Sequence, residues 1–522
     1  MKTMKNILIV LSVAVLAVSC YEDLSTEATM EIPELNVTGP DDDINIPYGQ
    51  TLDITVKATQ KGRGTKDFTY VWEMDVRPGQ ADSKIEVGQG ASLSMRIAND
   101  PSETPYVLTC TVTDTKTGIA VVKAWKVFVS TSLGDGLLVA HTRDDGQTSE
   151  VDLVSNSAVT YGKESLDPFY VRDLYSLSNG GQKIQGTIND MVPYMASGMS
   201  AWSENNIAIA TDRNLFLLDP LTFQTTRENE ELFSIYEGSS FGTDMLFNAG
   251  GWGTFALMDD GRLYGVCGII SNKYGPAAIS QDLKTIFKKN NIAYAMQNQG
   301  NICVFNEDNS TFYRVHAGFF HERAFSALNT QAINFDVQGA KVLAGGCLKG
   351  SDELSLAFLM KSNDGKHHVV IWNLSPNEPA LFGQYELDAP NIDKAVSFAF
   401  CDNADVMYYA TEDKIYSVIL SAGRSYVSEL TWKPEGQNEK ICSIEQYYQA
   451  WYGTHNYLKP YTYEFQIPTN RLQVIITTYD ETAGEGKVYL RPFNVSTGRF
   501  TTKSNGTFRG FGRTTAVTPT KK

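Results

Sequence analysis

The densest concentration of chemistry-bearing side chains lies between residues 445 and 465. Tyr447, Tyr448, Trp451, Tyr452, Tyr457, Tyr461, Tyr463 and Phe465 crowd this stretch, with Gly453 and His455 among them. Their spacing is too irregular for one strand. Sugar rings present apolar C–H faces that aromatic rings cover, and phenol hydroxyls add hydrogen bonds, so an exposed segment of this kind can act as a stacking platform. Buried between elements, the same rings are core. Tyr447, Tyr448, Trp451, Tyr452, His455 and Tyr457 are therefore candidate ligand-binding residues. Trp252, set among Gly250, Gly251 and Gly253, is a further candidate, with burial in a tight turn as the competing outcome.

Catalytic signatures are sparse. The chain has six histidines, and no H-E-x-x-H helix, G-x-S-x-G elbow or phosphate-binding glycine loop occurs. His367-His368 runs straight into Val369-Val370, which suits the start of a strand better than a metal site. His316 and His321 flank Gly318-Phe319-Phe320 and could line one loop. Asp41-Asp42-Asp43 offers hard oxygen ligands for calcium, but a solvated acidic loop is the simpler reading. No residue is assigned as catalytic or metal-ligating, and no cofactor motif is present. With 60 acidic residues, a carboxylate pair for glycoside cleavage has to be sought in space rather than along the chain.

The N-terminus carries a different kind of chemistry. Lys2 and Lys5 precede an apolar run over residues 7–18, closed by Ser19 and Cys20. This is a charged n-region, an h-region and a cleavage site. The run is well short of the roughly 20 residues a spanning helix needs, so residues 1–19 are expected to be a signal peptide. Leu16-Ala17-Val18-Ser19-Cys20 resembles a bacterial lipoprotein lipobox, with Leu16 one place further from the cysteine than usual. That resemblance implies lipidation of Cys20 and contact with a membrane through the lipid anchor only. Glu22 and Asp23 follow, and resemble the acidic export signal that sends Bacteroidetes lipoproteins to the outer face of the outer membrane. The net charge is −16. Removing residues 1–19 takes away Lys2 and Lys5 and no acids, leaving −18. A surface this acidic repels nucleic acid and anionic lipid. The later cysteines form no C-x-x-C pair, and several sit in apolar runs, so buried free thiols are expected, with one or two disulfides left open.

Two kinds of element must position these residues. After a tether over 20–30, residues 31–131 read as all-β. Leu52-Asp53-Ile54-Thr55-Val56, the run over 68–74, the run over 106–112 and the run over 120–129 alternate between apolar and polar, which predicts a sandwich with one face of each sheet buried. Tyr70-x-Trp72, followed by Tyr106-x-Leu108-x-Cys110-x-Val112-x-Asp114, resembles PKD-like domains, immunoglobulin-like modules of bacterial surface proteins. No earlier cysteine is placed to pair with Cys110.

A linker over 132–135 separates this unit from residues 136–522, where the rhythm changes. Seven times an apolar strand, a turn of Asp, Asn or Gly and a second apolar strand recur, beginning near residues 136, 207, 255, 302, 356, 406 and 472. The repeat is roughly 55 residues, and one such unit cannot bury both faces alone. A β-propeller follows as the expected fold, seven-bladed with eight as the alternative, each hairpin supplying the inner and middle strands of a blade. Residues 280–289 have helical spacing, and the last dozen residues are polar and expected to fray. Thr142-Arg143-Asp144-Asp145-Gly146-Gln147-Thr148 resembles the Asp-box hairpin of sialidase propellers, but Ser149 stands where an aromatic normally closes that box.

The whole layout resembles the PKD-like family of Bacteroidetes lipoproteins, which accompany outer-membrane nutrient transporters of the starch-utilisation type. The resemblance implies a non-enzymatic surface binding protein for an extracellular ligand, polysaccharide first among them, with the sandwich as spacer and the propeller as head. A propeller glycosidase or lyase, a protein-interaction scaffold of a transporter complex, and capture of a peptide or protein are the alternatives. Convergent carboxylates in a central funnel would favour the enzyme.

Overall fold

Alternation builds the N-terminal sheets. The computed structural model describes residues 34–520, leaving aside 41–42, 81–82, 100–101, 103, 131–135, 161–162, 196–204, 221, 250–252, 267–271, 277–285, 296–300, 318–322, 350–354, 375–378, 450–466 and 468. Thr51–Thr55 buries Leu52 and Ile54, exposes the residues between, and pairs antiparallel with Ser92–Arg96. The main sheet runs in the order Ile44–Pro47, Ala120–Ser130, Tyr106–Asp114, Phe68–Asp75, Lys84–Gln89, with only the first pair parallel. Trp72 is fully buried at its centre, in register with Cys110 and stacked on Trp125 at 5.6 Å. The indole N–H of Trp72 donates to the Gly90 carbonyl and that of Trp125 to Pro40, each at 2.8 Å. Satisfying those donors is what lets two large rings sit in the core. Cys110, Cys303, Cys347, Cys401 and Cys442 are free thiols, and Cys267 lies outside the described residues.

Beyond residue 135 the described residues form seven antiparallel sheets, each with a main path of four strands. The seven hairpins legible in the sequence are the two central strands of these sheets, such as Asn205–Thr211 with Leu215–Leu218 and Val406–Ala410 with Ile415–Ser421. They lie one strand further from the edge than an inner-and-middle assignment puts them. Strands covered on both faces read as continuous apolar runs: Thr254–Met258 is buried at every position. The bordering strands alternate, as Thr225–Glu228 does, and give a weaker signal.

The first strands of the second to seventh sheets are Ile188–Met195, Thr243–Asn248, Ile292–Tyr294, Lys341–Leu348, Ser397–Phe400 and Lys440–Gln446. Each lies beside at least one other. Ile188–Met195 packs against Thr243–Asn248, Lys341–Leu348 against Ile292–Tyr294 and Ser397–Phe400, and Ser397–Phe400 against Lys440–Gln446. Glycine makes one close approach possible: a Cβ on Gly345 would stand 2.3 Å from the Ile292 carbonyl oxygen.

The C-terminus is ordered into a sheet rather than frayed. Arg513–Thr520 pairs antiparallel with Gly136–Thr142 and completes the first sheet beside Thr148–Ser155 and Phe169–Val171. It also packs against Ile188–Met195. Its threonines make it look polar, but they are β-branched and suit a strand with one side on a polar space. Of the helix expected over 280–289, residues 286–288 are not helical and Lys289–Asn291 is a 3₁₀ turn; the rest lies outside the described residues.

The sandwich and the first two sheets share one continuous apolar core, running from Trp72 and Val129 through Leu138, Val171 and Leu174 to Phe216. At the junction the Tyr48 hydroxyl lies 2.6 Å from that of Ser178, and Arg96 donates to the Arg172 carbonyl. Gly49 has φ +79°, and a Cβ there would stand 2.7 Å from Val171.

Candidate functional site

A cavity of about 470 Å³ opens where the first strands of four sheets converge. Thr515 comes from the strand that completes the first sheet, Thr187, Ile188 and Asn189 from the second, Asp244 from the third, and Lys289 from the turn leading into the fourth.

One backbone device presents three of these side chains. The ladder shifts by one residue between Ile188 and Asp190, between Thr243 and Met245, and opposite Ala140 and His141, where Ala516 and Thr514 are the partners. The extra residues are Asn189, Asp244 and Thr515. A bulged residue leaves the ladder and its side chain is re-aimed, which is why bulges gather beside functional sites. The same shift recurs in the fifth and seventh sheets, where it falls on Leu343 and Cys442, so among the described residues these bulges present amide, carboxyl or hydroxyl side chains only in the first three sheets.

Hydrogen bonds fix the neighbourhood. Asn189 donates from Nδ2 to the Thr243 carbonyl at 3.0 Å. Asp190 accepts from the Met191 amide at 2.9 Å and from the Leu246 amide at 3.0 Å, tying the second sheet to the third. Asp244 and Lys289 face the cavity with opposite charges, yet among the described residues neither head group has a hydrogen-bond or ion-pair partner.

Electrostatics link these groups: Asp244 and Lys289 are exposed at the mouth, while Asp190, Glu445 and Tyr294 lie in a poorly solvated space behind them. Burial raises the pKa of Asp244, the Asp259 carboxylate adds to this, and Lys289 opposes it. Burial also raises Asp190, against the pull of Lys289 and the two backbone amides. Glu445, from Lys440–Gln446, is pushed up to about 8 by burial, with the Asp190 charge adding and Lys289 opposing. Burial together with Asp190 and Glu445 raises the Tyr294 phenol. Low dielectric disfavours charge, so at neutral pH Glu445 carries its proton and can donate a hydrogen bond.

The residues singled out in the sequence fall elsewhere. Tyr447 is fully buried in the core between the seventh and first sheets, so its ring is structural rather than a platform. Tyr448 is half-buried. Trp451, Tyr452, His455, Tyr457 and Trp252 lie outside the described residues, as do Cys20, Glu22, Asp23, Asp41 and Asp42. His367 begins a strand and its Nε2 is 3.1 Å from the Asp393 carboxylate, while His368 stacks on Phe335 at 3.9 Å. Asp144 is absorbed into its own turn: the hydroxyl and amide of Thr148 hold its carboxyl down to about 2. No group of three or more metal-ligating side chains occurs among the described residues. Asn189, Asp190, Asp244, Lys289, Glu445 and Thr515 come from five sheets, so no spacing along the chain could join them. The one local signal is a polar residue near the start of a first strand, as in Ile188-Asn189-Asp190 and Thr243-Asp244.

Residues 20–187 match the PKD-like family, so the chain carries an N-terminal PKD-like domain. The match continues past the sandwich into the first sheet, over the stretch where the two share a core. No curated protein matches the chain. Among solved structures, it is similar to a quinonprotein alcohol dehydrogenase-like protein from Bacteroides thetaiotaomicron, at 13% identity over 92% of this chain and 96% of that one, with a TM-score of 0.47. A protein from Lactobacillus plantarum gives 9% identity over 74% and 99%, TM-score 0.44. Apo AztD from Citrobacter koseri gives 11% over 87% and 98%, TM-score 0.35. Likenesses this distant transfer no activity. The chain is a multi-domain β protein: a PKD-like sandwich followed by repeated four-stranded antiparallel sheets.

Proposed function

We propose that the chain is a lipoprotein of the bacterial outer membrane, anchored through Cys20 and facing outward, whose seven sheets close into a β-propeller that binds an extracellular polysaccharide. Pairing of the last strand with the first sheet supports closure of the ring. The observation that carries the binding reading is the cavity between the first strands, with amide, carboxylate and hydroxyl groups brought to it by bulges and an ammonium by a 3₁₀ turn. A pre-formed pocket with a few placed polar groups is the usual form of a small-ligand site. The sandwich serves as a spacer fused to the head, and an outer-membrane nutrient-uptake complex is the partner this arrangement suits.

A glycan-array screen of residues 21–522, repeated with Trp451→Ala and Tyr448→Ala, tests this. Binding to one polysaccharide class supports the head. Absence of binding across the array removes the glycan reading and leaves a transporter-associated scaffold.

One observation favours a second reading. Glu445, protonated at neutral pH and electrostatically coupled to Asp190, has the state a general acid needs for glycoside cleavage. Release of new reducing ends from a bound glycan, abolished in Glu445→Gln, would establish hydrolysis; intact glycan after prolonged incubation would exclude it.

A further inference from the structure

We infer that the cavity lined by Asn189, Asp244, Lys289 and Thr515 is an end-recognition subsite, which takes the terminal residue of an uncharged glycan with neighbouring hydroxyl groups bridging the Asp244 carboxylate and the Lys289 ammonium. This rests on the glycan reading above and adds where the chain is held, by which end of the ligand and by which atoms.

Asp244 and Lys289 place two exposed charges, unpaired among the described residues, beside one cavity. A carboxylate and an ammonium beside one cavity gain by meeting, because charge-assisted hydrogen bonds are about twice as strong as neutral ones. Here each is held by its own backbone: Asp244 by a bulge, Lys289 by a 3₁₀ turn. A sugar hydroxyl is donor and acceptor at once. It can donate to the carboxylate and accept from the ammonium, and a pair of adjacent hydroxyls can satisfy both head groups while filling the space between them.

The surrounding groups fit the same ligand. Asn189 is oriented by its bond to Thr243. The Thr515 hydroxyl is buried without a hydrogen-bond partner among the described residues. A buried polar atom without a partner costs free energy, and a ligand hydroxyl would remove that cost. Thr187 adds another hydroxyl at the rim, while the buried Ile188 supplies an apolar contact for a ring face.

Charge and size narrow the class. Asp190, Asp244 and Glu445 lie within electrostatic reach of Lys289, the one cation lining the cavity among the described residues, so an acidic sugar would meet more carboxyl groups than cations. The cavity is open to solvent, and its volume of about 470 Å³ matches one or two sugar rings. The grip is also one-sided, since the equivalent bulges in the fifth and seventh sheets carry Leu343 and Cys442. A chain end of one or two rings satisfies these constraints.

The test is calorimetric titration of the purified chain with neutral disaccharides, their hexasaccharides and the parent polymers (maltose, cellobiose and xylobiose series), with glycine and lysine as zwitterionic controls. Asp244→Asn and Lys289→Met are compared with the parent, and circular dichroism checks that each folds. The expected result is that one series binds with similar affinity per mole of chain ends from disaccharide to polymer, and that each substitution weakens binding at least tenfold. Thr515→Val, which keeps shape and β-propensity, is expected to weaken it several-fold even if a charge substitution disturbs the fold. Affinity that rises with the number of internal residues, or folded variants that bind like the parent, overturns the subsite and leaves the glycan reading standing. Binding of glycine or lysine in place of every sugar overturns both.

Discussion

Glu445 gives the chain a pH dependence opposite to that of most carboxylates. Burial and the Asp190 charge push its carboxyl from an ordinary 4.5 up to about 8. The folded state therefore holds a proton that the unfolded state has released. Stability from this group is fully present below about pH 4.5 and is lost as pH rises toward 8. At about 1.4 kcal/mol for each tenfold change, that interval sets a ceiling of about 5 kcal/mol. Glu445 as a whole residue is half-buried, so allowing for screening the working figure is about 2–3 kcal/mol. Glu445→Gln keeps the shape and stays neutral at every pH. Urea unfolding followed by circular dichroism at pH 5, 6.5, 8 and 9 is the assay, with parent and variant compared at each pH. Relative to its own value at pH 5, the variant should gain on the parent by about 2–3 kcal/mol at pH 9. Asp190 and Asp244 leave some slope in the variant, but the difference between the two curves isolates Glu445. Parallel curves from pH 5 to 9 would refute the placement of Glu445 in a poorly solvated space.

Three further outcomes follow from packing. Gly345→Ala puts a methyl against the Ile292 carbonyl and should cost about 1–3 kcal/mol, read as a lowered denaturation midpoint. Trp72→Ala removes the fully buried ring stacked on Trp125 and should cost about 3–5 kcal/mol, with the sandwich losing its near-ultraviolet signal. Lys487→Met strips Glu439 of its ammonium partner, leaving a buried carboxylate held by the neutral donors Tyr489 at 2.6 Å, the Gly436 amide at 2.9 Å and Thr478 at 3.1 Å. About 3–5 kcal/mol should be lost near neutral pH, and Glu439→Gln in the same background should recover part of it by thermal melt.

The sandwich and the central hairpins were legible because each obeys a simple periodicity. Leu52 and Ile54 alternate with exposed neighbours, and Phe255-Ala256-Leu257-Met258 is a run covered on both faces. The first strands were not legible. They are short or bulged, and a bulge at Asn189 or Cys442 breaks the alternation that would have revealed them. Arg513–Thr520 was hidden by its threonines, and its burial does not alternate cleanly. The cavity was hidden for a different reason: Asp244 and Thr515 are separated by most of the chain and meet only when the sheets do. The aromatic segment gave the loudest compositional signal, and its first ring, Tyr447, turned out to be core.

The first sheet contains both the earliest and the last strand of its region, and this bears on the order of events as the chain emerges. The strand Gly136–Thr142 waits for residues near the C-terminus before its ladder is complete, so the sheet closes late and across a very long loop. Loop-closure entropy rises slowly with length, but such non-local pairing slows folding. The PKD-like sandwich has no such dependence and can organise first, offering its apolar junction with Leu138, Val171 and Leu174 as a template. Once the last strand is in place, neither end of the repeat region is free to peel away. Resistance to proteases then depends on the rate of opening that closure, so a chain truncated before residue 513 should be degraded far faster than its retained contacts suggest.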